Sequence, residues 1–323
     1  PYAKDYMVIV LLGNVFSHMY FGMNAVLRAS GKPRHAMYAT IFTVVLNTIL
    51  DPIFIYPLNM GIQGAAYATI LSQMLALVWQ MRIFSNKNEL LHLKRGIYGL
   101  KKAIVKNILA IGLSPFSMNV CACIVVIFIN KGLLMYSGDL AVGAYGIANK
   151  VCFIFVMVNM GLTQGMQPIA GYNYGAQKPD RMKRTMKLGV MVGCSIMVFC
   201  LAIMQVFPGQ ILKIFDATDE MLLMGIPAVR IMSTAFIFAG FSVTCSGMFQ
   251  AVGKGVYSMI VSMARQLFVI LPVAYFLSKA MNSVNGVWAA FPIAEVFSVS
   301  ISTIFLLRVY KKIVKPMESV QRD

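Results

Sequence analysis

Asn47 and Asp51 stand four residues apart in "LNTILDPIFIY", with Pro52 directly behind the acid. On a helix, positions i and i+4 share one face, so an amide and a carboxylate converge on one spot. Proline has no N–H, which leaves the Thr48 carbonyl beside them without its usual donor. Oxygen atoms gathered in this way suit coordination of a hard monovalent cation, or uptake and release of a proton by the carboxylate. The structural alternative is that Asp51 caps a half-helix begun at Pro52 and stabilises a kink. The setting makes the choice matter, because Asp51 is the only charge between Ala36 and Leu58.

Few other residues offer chemistry at comparable positions. Lys150, Arg265 and Glu295 lie inside apolar runs of the second half. A buried ion pair between Glu295 and one of the two bases is the plain expectation, and a substrate or proton role is the sharper one. Gln164 and Gln167 could hydrogen-bond a small molecule, although Pro168 and the glycines after it also fit a packed bend. His18 stands alone and reads as a core histidine. All six cysteines fall in apolar runs without CxxC spacing and read as small buried hydrophobes. HExxH, GxSxG and P-loop patterns are all missing, so enzyme chemistry has no visible carrier.

The elements that hold these residues are membrane spans. Hydrophobic residues make up 59% of the chain, charged ones 12%, and the mean hydropathy is +0.74, far from soluble averages. Nine charge-poor stretches are each long enough to cross a bilayer: 6–27, 36–58, 60–82, 107–130, 140–175, 188–212, 226–252, 255–278 and 282–307. Lacking strand-like alternation, they must be helices.

A net charge of +17 raises nucleic acid as a partner, but the distribution argues against it. Successive connections alternate between basic and nearly neutral. One side holds 21 Lys/Arg and the other 5, with Lys150 and Arg265 left inside spans. The positive-inside rule makes the rich side cytoplasmic, including the C-terminus. One missed helix would scramble this alternation, which supports nine spans.

A repeat organises the spans. "LRASGKPRHAM" at 27–37 aligns with "FQAVGKGVYSM" at 249–259, an offset of 222 that puts Gly31 on Gly253 and Lys32 on Lys254. The same offset, without a gap, places Gly64 on Gly286 and Ala68 on Ala290. Two copies in one direction predict two pseudo-symmetric lobes. Three spans precede the 83–106 segment and six follow it, so the repeat predicts about three further helices upstream of residue 1. The expected domains are 1–82 as the end of the first lobe and 83–106 as a basic, amphipathic cytoplasmic linker. Residues 107–310 are the second lobe and 311–323 a basic tail.

"NAVLRASGKPRHAM", "LNTILDPIFIY", "GIQGAAYAT", "IGLSP" and "GLTQGMQPIAGYNYGA" resemble, in order and spacing, the multidrug and toxic compound extrusion (MATE) transporters. The resemblance implies a twelve-helix, two-lobe, alternating-access antiporter of bacterial inner membranes. It would expel small organic, often cationic, compounds at the expense of a Na⁺ or H⁺ gradient, as a monomer and without a cofactor. One branch of the family carries cation-binding acids on helices corresponding to 107–130 and 231–252, where this chain has none. Another branch uses an Asp on the first helix, an Asn and Asp on the fifth and a Thr on the sixth. Asn47, Asp51 and Thr69 match the last three, and the first-helix Asp would fall upstream of residue 1. Their partners in the second copy are Val269, Val273 and Phe291, so only one lobe keeps the polar set. A lipid-linked oligosaccharide flippase of the same superfamily is the alternative, though Lys150 and Arg265 are few bases for a pyrophosphate. A membrane-embedded enzyme ranks behind both.

Overall fold

A computed structural model describes residues 2–86, 91–92, 99–215 and 217–317, with no strand among them. Lipid gives the backbone no hydrogen-bond partner, so each apolar run pairs its own N–H and C=O groups along a helix. In chain order these are α1 (Tyr2–Ala29), α2 (Pro33–Ile55) and α3 (Gly61–Phe84), then α4 (Lys102–Leu134) and α5 (Gly138–Gly175). α6 (Pro179–Val206), α7 (Pro208–Ile214), α8 (Asp219–Ser233) and α9 (Phe236–Ala251) follow. The last two are α10 (Gly255–Met281) and α11 (Asn285–Met317). Among the described residues eight helices are long and apolar enough to cross a membrane, and α8 with α9, bent by 53°, make a ninth if counted as one span.

Two compact units, Pro1–Lys101 and Lys102–Asp323, divide the chain within the 83–106 segment. Most of the amphipathic helix expected there, residues 87–90 and 93–98, lies outside the described residues.

In the first unit α3 packs along both α1 and α2. Its buried face is built from Gly64, Ala66, Ala68, Ser72 and Ala76, and such small residues let helix axes come close. Gly64 sits so near the end of α2 that a Cβ there would lie 2.9 Å from the Phe54 carbonyl carbon. In the second unit Tyr145 and Trp288 stack with ring centroids 5.5 Å apart at the centre of the larger core. α6 meets α9 through Gly193 and Gly240, where an added Cβ on Gly240 would lie 2.9 Å from Cys194 Cα.

The 222-residue register reappears in backbone geometry. Gly31 and Gly253 both take positive φ, at 80° and 71°. Lys32 N–H donates to Leu27 O at 2.9 Å, and Lys254 N–H donates to Phe249 O at 2.7 Å, the same turn 222 positions later. Gly286 presses on the Leu277 carbonyl carbon at 2.5 Å from its missing Cβ, as Gly64 does on Phe54.

Several expected boundaries move. The span expected at 188–212 is α6 followed, after Phe207, by the short α7, because Pro208 opens a new helix at its first position. The span expected at 226–252 begins earlier, at Asp219, and is broken at its middle. Thr218 caps its start by accepting from Met221 N–H at 3.3 Å, with Asp219 and Glu220 favourably placed in the first turn. The break follows from Ser233 and Thr234, whose hydroxyls donate to Arg230 O (3.1 Å) and Ile231 O (2.7 Å). Gln205 Nε2 also donates to Arg230 O at 2.8 Å. Side chains that occupy carbonyls of the last turn end the ladder there. At the C-terminus the helix continues past 310 to Met317, held by buried Val314 and Met317 and by Lys183 Nζ, 5.5 Å from the Tyr310 ring centroid.

His18 is exposed, contrary to the core placement expected of it. α1 turns Ser17, Tyr20 and Asn24 inward instead, and His18 falls on the other face. Five of the cysteines are buried or partly so, while Cys123 is exposed, and all six are free thiols.

Candidate functional site

Thr69, on α3, faces the polar pair of α2, as the family resemblance implies. Asn47 Nδ2 donates to Asp51 Oδ1 at 3.0 Å across one turn. The same nitrogen lies 3.4 Å from Thr69 Oγ1, whose own hydroxyl donates to Ala65 O at 2.9 Å. That bond spends the threonine proton and leaves an oxygen lone pair toward the cluster. All three residues are partly buried within the first unit. Among the described residues no base forms an ion pair with Asp51, and the Asn47 amide is its hydrogen-bond donor.

Pro52 does not break the helix. α2 runs unbroken from Pro33 to Ile55 with Pro52 inside it, so no half-helix starts there for Asp51 to cap. The structural alternative loses its geometry, and Thr48 O still lacks the donor that proline cannot supply.

One carboxylate, one amide and one hydroxyl form a hard-oxygen donor set, which suits a monovalent cation rather than a transition metal. No cluster of three His, Cys, Asp or Glu that could hold a metal exists among the described residues. In the observed rotamer Asn47 presents nitrogen, not oxygen, to Asp51. The amide must turn over before its oxygen can join the carboxylate on a cation, whereas a proton needs only Asp51.

The remaining polar candidates separate. Glu295 on α11 is paired with Arg265 on α10, the plain expectation for these two. Lys150 is not part of that pair and stands exposed on α5. Gln164 is exposed, while Gln167 Nε2, one turn on, donates to Gln250 Oε1 at 3.0 Å. Gln250 Nε2 in turn reaches Ser258 Oγ at 3.4 Å, and Ser258 lies 3.0 Å from Ser114 Oγ. Gln167 therefore ties α5 to α9, α10 and α4 and is a packing residue of the second unit.

Sequence reasoning passed over a polar face on α1. Ser17 donates to Gln73 on α3, and Asn24 Nδ2 donates to Ala36 O (3.0 Å) and Thr40 Oγ1 (3.2 Å) on α2. Arg28 closes the row on Asn24 Oδ1 at 2.9 Å. Their signal was the helical spacing of Ser17, Tyr20, Asn24 and Arg28. A second overlooked residue is Asn159 on α5, completely buried with neither amide atom bonded.

Comparison with known proteins shows the family and the fold. Multidrug export protein MepA of Staphylococcus haemolyticus is 30% identical over 288 residues, covering 89% of this chain. MepA of Staphylococcus aureus strain MSSA476 is 26% identical over 287 residues. The chain spans 63% of the length of both. Among solved structures, a MATE protein in complex with MaL6 has a TM-score of 0.87 at 22% identity, covering 98% of this chain and 70% of that one. An outward-facing multidrug resistance MATE family transporter of the MOP superfamily has a TM-score of 0.88 at 22% identity, covering 98% and 70%. The MatE family model matches residues 1–53 and 110–276, and the chain therefore belongs to the MATE family of membrane transporters.

Proposed function

We propose that the full-length protein is a secondary exporter of small organic compounds, mainly cations, driven by antiport of Na⁺ or H⁺. Asp51 alternately takes up and releases the coupling ion in this reading, with Asn47 and Thr69 as neutral partners. The observation that carries it is the Asn47–Asp51–Thr69 contact, formed by two helices around a carboxylate that has no ion pair among the described residues. A single charge moving through 100 mV releases about 2.3 kcal/mol, enough to hold a gradient of one to two decades of a neutral or charge-compensated substrate at about 1.4 kcal/mol per decade. Kinship to the MepA exporters favours the same class of substrate. The protein acts as a monomer in the bacterial plasma membrane, with its C-terminus in the cytoplasm.

The flippase alternative is less well served. Arg265 is committed to Glu295, which leaves Lys150 as the one uncommitted base among the span-embedded residues singled out in the sequence. Ethidium uptake into energised inverted vesicles carrying the full-length protein tests the export reading. Uptake collapsed by dissipating the Na⁺ or H⁺ gradient is expected, and uptake indifferent to both overturns it.

A further inference from the structure

The ion pair in the second unit occupies a meaningful place in the repeat. Subtracting 222 puts Arg265 on Thr43 and Glu295 on Gln73. In the first unit Gln73 serves a neutral bond from Ser17, and Thr43 donates to Ala39 O at 2.8 Å within its own helix. The second copy has replaced both with charges of opposite sign. Its backbone differs there as well. Ala264–Ile270 is a π-helical stretch inside α10, while the equivalent stretch of α2 is ordinary α-helix. Widened turns of this kind are costly in isolation and collect at functional sites.

The pair is lopsided. Glu295's side chain is only 7% exposed and Arg265's is 31% exposed. One carboxylate oxygen meets the guanidinium, but the other, Oε2, is buried and accepts no hydrogen bond. A pair selected for stability alone would satisfy that oxygen, since an unpaired buried acceptor is costly. Phe291 lies one turn before Glu295 on the same face of α11, partly buried, with its ring 6.4 Å from Tyr145's. A carboxylate with an aromatic residue one turn away on the same helix face is a combination suited to an organic cation.

We propose that Glu295 with Phe291 forms a subsite for the cationic group of a transported compound, and that Arg265 is its resident stand-in. In the unloaded protein the guanidinium neutralises Glu295. An arriving organic cation takes its place, and the partly exposed arginine swings away toward water. The proposal deepens the export reading and rests on it.

The test measures binding of tetraphenylphosphonium, which cannot donate hydrogen bonds, to purified full-length protein by calorimetry. Arg265→Gln removes the competitor and should tighten binding about tenfold, while Glu295→Gln should weaken it about tenfold or more. A structural pair predicts otherwise: Arg265→Gln would leave the affinity unchanged or lower, and that result overturns the proposal. If Arg265→Gln does not fold, Arg265→Lys, a smaller and weaker competitor, should still tighten binding, and unchanged binding there is equally fatal. Misfolding of both, rescued by the Arg265→Gln/Glu295→Gln pair, assigns the contact to stability alone and also overturns it. The export reading is checked in parallel by Asp51→Asn. Wild-type protein that neither binds nor exports the cation removes both ideas, whereas intact Asp51-dependent export with no effect at Arg265 removes only this one.

Discussion

Asn47 and Asp51 are joined by a 3.0 Å hydrogen bond between side chains one turn apart, inside a helix that Pro52 leaves unbroken. The bond holds the carboxylate toward α3, where Thr69 adds its oxygen. Asp51 lies inside α2, with Ile55 as the last residue of that helix.

Asp51→Asn in the full-length protein should abolish gradient-driven export while expression and insertion persist, because an amide can neither carry the negative charge nor take up the proton. Asn47→Ala should reduce export more mildly, about tenfold or less, since water can replace a neutral partner. Ethidium efflux at matched expression decides, and normal export by Asp51→Asn moves the site elsewhere.

Gly64→Ala and Gly286→Ala should each destabilise the protein by about 1–3 kcal/mol through overpacking, with Gly286→Ala the worse. The added carbon meets backbone at 2.5 Å from Gly286 and 2.9 Å from Gly64. Gly22→Ala, with nothing within 4 Å of the new carbon, is the control. Thermal melting in detergent reads the order.

Gly31→Ala and Gly253→Ala should cost about 1–2 kcal/mol each, for the left-handed backbone rather than for space. Similar losses are expected because the two turns share φ near 80° and 71° and repeat one hydrogen-bond pattern. Melting temperatures that fell at one position only would show that the copies differ there.

Ser233→Ala combined with Thr234→Ala should straighten the α8–α9 break, since it frees the Arg230 and Ile231 carbonyls for helical donors. Spin labels at 224 and 246 should then move apart from the separation set by the 53° bend. An unchanged distance would assign the bend to packing by Gln205 and the surrounding core.

Cysteines placed at positions 91 and 184 should be labelled by impermeant maleimide only in inverted vesicles, and one at 219 only in intact cells. The expectation rests on the 21-to-5 split of Lys and Arg. Labelling of position 184 from outside would reverse the assigned orientation.

What the sequence by itself determined was that the apolar runs are helices and where the polar cluster lies. Hydrophobic length acts locally and cannot be overridden in lipid, where every backbone group must pair within its own helix. The repeat was legible at Gly31, Gly253, Gly64 and Gly286 because positive φ and backbone contact tolerate little but glycine. Asn47 and Asp51 were legible because i,i+4 spacing fixes a shared face.

Tertiary structure decided the rest. It assigned Glu295 to Arg265 rather than to Lys150, a choice between helices that no spacing encodes. The bend at Ser233 and Thr234 depends on which carbonyl each hydroxyl reaches, with Gln205 arriving from another helix to hold it. The outward placement of His18 likewise follows from which face of α1 the neighbouring helices cover. The Glu295–Arg265 pair and the Gln205 contact join partners distant in the chain, and only packing brings those together.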